Sequence, residues 1–311
     1  MPTKIKVIGV GGSGGNAISR MMTCKIQGVD LIAVNTDAQD LIKTRAHLKI
    51  RIGKNITKGL GSGMNPEIGR LATEESREEI EKVLKGSDMV FITGGLGGGT
   101  CTGSAPVISK IAKEQGALTI AVVTKPFSFE GSQRMRVAKN GLKNLKDNVD
   151  TLLTISNDKI LSLIDQDATL VSAFWQCDEV LRQAVQGISD LISVPGIVNV
   201  DFADVKSIMK GAGQAIFGVG QAGGERRIEA AVKQAINSPL LDISIEGAKG
   251  ILFNVSGGND LGLYEIDEAA KVITKNTVKD ARIIFGASKD KKLKKGEVKI
   301  TVLATGFESS R

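Results

Sequence analysis

The sequence predicts an α/β protein. A doubly wound, mainly parallel sheet comes first, then a long connecting helix, then a second, smaller α+β domain. Three observations predict this. Short apolar runs alternate with amphipathic stretches through the first half, the pattern of strands joined by right-handed helical crossovers. Two glycine-rich stretches each follow such a run. A helical pattern of about 25 residues then separates this half from one of different rhythm. The boundaries read as 1–167, 168–192 and 193–311.

In order, 5–10 is an apolar strand entering a glycine-rich turn, and 30–35 is a second strand. Residues 74–84 read as a helix with Ile80, Val83 and Leu84 on one face and Gly86 stopping it. A strand over 89–93 runs into the second glycine-rich stretch, with a helix over 107–114 after it. Strand 118–124, helix 133–145 and strand 151–155 follow. The long helix, 168–192, stops at Ser193-Val194-Pro195-Gly196. Beyond it, helices near 201–210, 225–237 and 264–276 mix with strands near 215–219, 250–255, 282–285 and 298–304.

The 311 residues are 41% hydrophobic and 24% charged, ordinary for a globular protein. No run approaches the ~18 apolar residues of a membrane span. The N-terminus lacks a signal-peptide layout, which predicts an intracellular protein. Cys24, Cys101 and Cys177 are odd in number and far apart, which suggests neither a disulfide framework nor a zinc site. The only histidine, His47, argues against histidine-based metal sites. The net charge of +7 owes much to the 289–295 run of lysines. Such a run is a solvated loop or a patch for nucleic acid or anionic lipid. Aromatics are only 4%, against base stacking on single strands; no nucleic-acid partner is expected.

Gly9-Val10-Gly11-Gly12-Ser13-Gly14 fits G-x-G-x-x-G after a strand. Glycines there let backbone amides approach a phosphate at a helix N-terminus. By itself the motif suits a dinucleotide site, with Asp37 placed to bind a ribose, or a bare turn. The second stretch, 94–103, holds six glycines in ten residues and adds hydroxyls, a second anion nest. Two adjacent nests suit a triphosphate better than one pyrophosphate. There is no G-x-x-x-x-G-K-[ST], and Asn16 stands where a P-loop lysine would. Amides, hydroxyls and Mg2+ must then hold the phosphates.

Gly97-Gly98-Gly99-Thr100-Cys101-Thr102-Gly103 resembles the signature of the tubulin/FtsZ family. So do 11–17, Asn35-Thr36-Asp37-Ala38-Gln39, 59–69, 124–131, 180–191 and 199–205, and the likeness runs from about 4 to 307. Its run from Gly187 to Asp204 is specific to the FtsZ branch. The resemblance implies a Rossmann-like GTPase domain over 1–167, a central helix, and a C-terminal activation and polymerisation domain. Gly11, Gly12, Ser13 and Asn16 would lie along the phosphates, with the 97–103 loop (Gly97, Gly98, Gly99, Thr100, Cys101, Thr102, Gly103) and Gly61, Ser62, Gly63 and Asn65. Glu130 and Arg134 would reach the ribose and phosphates. Asn157, Phe174 and Asp178 would hold the guanine. Chemistry supports Asp178: a carboxylate accepts two hydrogen bonds from guanine and would be left unpaired by adenine. Taken alone, Asp178 also fits a solvent-facing helix charge, and Phe174 a core residue. Asn199, Asp201 and Asp204 would act on the nucleotide of the next subunit; alone, the acids also read as an N-cap and a first-turn charge.

The resemblance further implies a filament assembled head to tail that hydrolyses GTP to GDP with Mg2+, mainly through phosphates and water. It implies a cytoplasmic protein at the mid-cell site of the bacterial division ring. Division and membrane-anchoring partners would be reached through a C-terminal tail absent from this sequence. Cys101 replaces the usual glycine; a positive φ there would cost a Cβ ~1 kcal/mol, and otherwise the thiol would crowd the phosphates. Ser156 and Ala184 replace a usual proline and glycine. Two other readings fit the same residues. One is an NAD-dependent oxidoreductase of the Rossmann type. The other is a hydrolysis-impaired, nucleotide-dependent assembly module.

Overall fold

The computed structural model describes residues 3–161, 164, 167–194, 196–237, 244–275, 277–290 and 293–307. Pro195, Asn276, Lys291 and Lys292, which the sequence reading used, lie outside them. The chain forms two compact units, Met1–Ser189 and Asp190–Arg311.

In the first unit the elements run β1 (Ile5–Val10), α1 (Gly11–Thr23), β2 (Val29–Asn35), α2 (Ala38–Lys43), β3 (Leu48–Arg51), α3 (Pro66–Glu75), α4 (Arg77–Leu84), β4 (Met89–Gly95), α5 (Gly99–Glu114), β5 (Leu118–Lys125), α6 (Ser132–Lys146), β6 (Thr151–Ser156) and α7 (Asn157–Leu161). Helix α8 (Leu170–Ser193) follows, and the division between units falls in its last turn. The strands lie in the order β3-β2-β1-β4-β5-β6 and every pair is parallel. β1, β4 and β5 are almost wholly buried, as continuous apolar strands must be when helices cover both sheet faces. One core cluster joins Ile8, Val10, Ile92 and Val123 of the strands to Ile108 and Ile111 of α5.

Two predicted helices differ. The 74–84 helix is two, α3 and α4, broken at Ser76, whose φ of −104° and ψ of 15° leave the helical region. Helix α5 starts at Gly99, eight residues ahead of the prediction, and runs through the glycines and Pro106. Glycine and proline read as loop by propensity, but packing overrides it here. A Cβ on Gly103 would lie 1.9 Å from the Pro66 carbonyl oxygen, and one on Gly99 2.6 Å from the Asn65 nitrogen. These glycines let α3 lie against α5.

The second unit continues with α9 (Phe202–Met209), β7 (Gly213–Gly223), α10 (Arg227–Ile236), β8 (Gly250–Gly257), α11 (Leu263–Thr274), β9 (Arg282–Lys289) and β10 (Glu297–Thr305). β10 pairs antiparallel with both β7 and β8, and β8 pairs parallel with β9. This is the mixed sheet of an α+β domain, its core built from Phe253, Ile228, Val232, Ile273 and Ile300.

Candidate functional site

The strand order reverses between β1 and β4, and open α/β sheets bind ligands at the strand carboxyl ends beside such a point. Both glycine-rich turns are there. Gly11 has φ +72° and opens α1; Gly97 has φ +100° and leads into α5. Side chains at either would be strained. The turns touch. A Cβ on Gly11 would sit 3.4 Å from the Cys101 nitrogen, and one on Gly95 3.2 Å from the Ser13 hydroxyl. Two helix N-termini therefore open side by side, each with backbone amides lacking intrahelical partners. Gly98 has open space around its α-carbon, and Gly12 and Asn16 are exposed on α1.

Hydroxyls tie a third loop to this place. The Thr100 hydroxyl lies 2.7 Å from that of Thr36 and 3.0 Å from that of Ser62. Thr36 follows β2; neither composition nor spacing singled it out beyond its place in the Asn35–Gln39 motif. Gly61 and Gly63 are left-handed, and the Asn65 side chain caps α3 by accepting the Glu67 amide at 3.0 Å. Thr102 is committed to the loop, accepting the Gly97 amide at 2.9 Å. Gly99 and Gly103 face α3. The expectation of a crowding Cys101 thiol is corrected: Cys101 lies inside α5 without a positive φ, and its sulfur packs on Gly94 in the core, leaving it 4% exposed. Burial pushes its thiol up to about 12. Asp37, placed for a ribose in the dinucleotide reading, instead caps α2, accepting the Gln39 and Asp40 amides.

Beyond β5, Glu130 accepts the Phe127 amide at 2.8 Å and the Arg134 guanidinium at 2.7 Å. It holds Arg134 on α6, whose carbonyl oxygen would be 3.0 Å from a Cβ on Gly97. Phe127 meets Phe174 of α8, which is 41% exposed. Asn157 is buried, and its Oδ1 has no hydrogen-bond partner among the described residues. Burial pushes the Asp178 carboxyl up to about 7, against the pull of the Arg20 charge; among the described residues no donor hydrogen-bonds it. Its neighbour Glu179 is raised by burial but brought down to about 2 by hydrogen bonds from Arg182, Arg20 and Gln183. An unpartnered amide oxygen and an unpartnered carboxylate are what a ligand with ring N–H groups requires.

In the second unit Asp201 caps α9, its carboxylate accepting the Asp204 amide at 2.7 Å. Asn199 accepts the Gly196 amide at 2.7 Å. The Asp204 carboxylate has no partner among the described residues.

Among the described residues no cluster of three or more His, Cys, Asp or Glu side chains suits a metal, and no helix is long and apolar enough to cross a membrane. The hydroxyls of Thr36, Ser62 and Thr100 suit a Mg2+ that arrives with phosphates and water rather than one held by a protein cage.

Residues 4–165 match the Tubulin/FtsZ family, GTPase domain, and residues 213–308 the FtsZ family, C-terminal domain. Among solved structures, the chain is similar to FtsZ of M. jannaschii, described as an empty dimer. Identity is 48% and the TM-score 0.93, over 98% of this chain and 89% of that one. A mutant of the same FtsZ gives 49% identity and 0.93 over 99% and 92%. CetZ2 from Haloferax volcanii, described as a GTPγS-bound protofilament, shares the fold at 22% identity and a TM-score of 0.82, over 99% and 95%.

Proposed function

The chain belongs to the tubulin/FtsZ family of GTPases, and from that premise we propose that it assembles head to tail into filaments and hydrolyses GTP at the contact between subunits, serving cell division at mid-cell. The observation that carries the nucleotide part is the pairing of two helix N-termini at the β1–β4 reversal, the second of them tied by the Thr100 hydroxyl to Thr36 and Ser62. Amides of 11–13 and 98–101 cradle the phosphates, with Gly61, Gly63 and Asn16 at the rim. Arg134, positioned by Glu130, adds the cation. Phe174 supports the base, and Asp178 with Asn157 reads its N–H groups. Mg2+ entering with the phosphates offsets their charge.

The first unit offers the terminal phosphate hydroxyls and amides, while the acids nearest its turns, Asp37 and Asp40, are engaged by backbone amides and by Asn35. The family resemblance assigns Asp204, whose carboxylate has no partner among the described residues, together with Asp201 and Asn199, to orient water. Acting on the next subunit's nucleotide makes the contact heterologous, so it propagates as a filament. The description of the M. jannaschii relative as a dimer supports self-association. Cys101 turned into the core favours a working site over the hydrolysis-impaired alternative, and the spent Asp37 disfavours the dinucleotide one. Division and anchoring partners remain those a C-terminal tail would recruit.

Light scattering with phosphate release, using GTP and ATP over a range of protein concentrations, tests this. The expected result is scattering and turnover with GTP alone, with a rate per subunit that rises above a threshold concentration. Turnover per subunit that is constant down to dilute protein would exclude the shared site.

A further inference from the structure

A cavity of about 420 Å³ in the first unit is lined by Ser19, Arg20, Thr23 and Cys24 of the α1 end, Lys43 at the end of α2, Arg45 after it, and Trp175 of α8. It belongs to none of the groups assigned above to the nucleotide. Its volume suits a small ligand. Three of the seven lining residues are cationic and none is acidic. The Arg20 guanidinium is neutralised by Glu179 at 2.6 Å and lies 3.8 Å over the Trp175 ring, so it is fixed in place. Its Nε is buried and has no partner among the described residues. Lys43 and Arg45 are exposed, and among the described residues their side chains have no ionic or hydrogen-bond partner. The α1 C-terminus contributes about half a negative charge, which two free cations outweigh. Surface cations alone bind anions weakly. Here they sit at a largely apolar hollow whose wall is an indole 52% exposed.

We propose that this cavity is a second ligand site, for a small aromatic anion: a flat ring held beside Trp175 and a carboxylate or phosphate held by Lys43 and Arg45. The site does not depend on the nucleotide reading.

The chain supplies two reporters. Trp175 is its only tryptophan, and Cys24 is an exposed free thiol at the cavity wall. The probe is 2-naphthoate, with 2-naphthalenemethanol as the neutral ring and inorganic phosphate as the ringless anion. Each is titrated with and without saturating GDP. The expected result is saturable quenching of Trp175 by 2-naphthoate in both conditions, with matching slowing of Cys24 alkylation by iodoacetamide. The alcohol and phosphate should each bind at least about tenfold more weakly. The double variant Lys43→Gln with Arg45→Gln should lose about tenfold in affinity, several-fold for each charge-assisted contact, with unchanged melting. Equal binding of the alcohol, or unchanged affinity in the double variant, overturns the anion assignment. Displacement of 2-naphthoate by GDP would put the ring in the base pocket and overturn the second site.

Discussion

The rings of Phe127 and Phe174 meet edge to face, their centroids 5.4 Å apart at 87°. Phe127 is fully buried and also stacks on Phe129. It therefore anchors Phe174 without absorbing it into the core, which leaves one side of that ring open beside Asp178, four residues along the same helix face.

Removing that open ring tests the base assignment. Phe174→Ala should weaken GDP binding by about 0.5–1.5 kcal/mol, the worth of one aromatic contact, with little loss of stability because the side chain is half exposed. Calorimetric titration alongside a thermal melt reads both. A large fall in melting temperature with unchanged GDP affinity would make Phe174 a packing residue.

The raised Asp178 carboxyl gives a pH signature. A guanine binds its ionised form, and in the free protein that form is reached only as pH rises through about 7. GDP affinity should therefore climb from about pH 5.5 to about pH 7.5 and level off above, with a proton released on binding at the lower end. Asp178→Asn should bind GDP weakly and lose this part of the profile, discriminating less against ADP. If variant and parent show the same pH profile, Asp178 does not face the base.

Cysteine labelling separates inside from outside. Burial pushes Cys101 up to about 12; Cys177 reaches about 12 through burial and the nearby Asp178 and Glu130 charges. Both should resist maleimide at about pH 7.5, since the thiolate is the nucleophile, whether or not nucleotide is present. Cys24 is exposed and should label. Mass mapping after labelling checks this; nucleotide-sensitive modification of Cys101 would show its thiol on the phosphate side.

Two glycines of one loop should fail differently. Gly103→Ala gains about 1 kcal/mol of helix propensity but drives a Cβ into the Pro66 carbonyl, and overpacking of about 1–3 kcal/mol or more wins. Gly98 has open space and φ −89°, so Gly98→Ala should keep its melting temperature and lose affinity only by crowding a phosphate. Equal melting of both variants would contradict the α3–α5 packing argument.

The acidic pair divides in the same way. Asp201→Ala removes the α9 cap and should cost about 1 kcal/mol, while Asp204→Ala leaves that cap intact. Asp204→Ala should bind GTP and scatter light as filaments but release phosphate slowly, and mixing it into the parent should lower turnover. Parent-like phosphate release by Asp204→Ala would remove it from the mechanism.

Much of the site was legible because its chemistry is written in glycines and hydroxyls at fixed offsets from apolar strands. The 11–14 and 97–103 runs announce turns that only small residues allow, and the strand–helix alternation gives the parallel sheet. From sequence Asp201 reads as an N-cap or a catalytic acid, Asp37 as a ribose ligand and Asn65, by resemblance, as a phosphate contact. The structure gives all three to capping, because a short side chain that bonds its own backbone needs no partner from elsewhere.

The strand–helix alternation, the two nests and the family resemblance can be read from the sequence alone, whereas α2, β3, α3 and α7 cannot. Which glycines leave space and which admit a neighbouring helix depends on how the chain packs, since both demands select the same missing Cβ. Only the tertiary structure turned the Cys101 sulfur into the core, because side-chain direction depends on where α5 begins and what α3 presses against it. It alone brought Arg20, Lys43, Arg45 and Trp175 around one cavity, for residues more than a hundred positions apart share a site only when the sheet between them has been assembled.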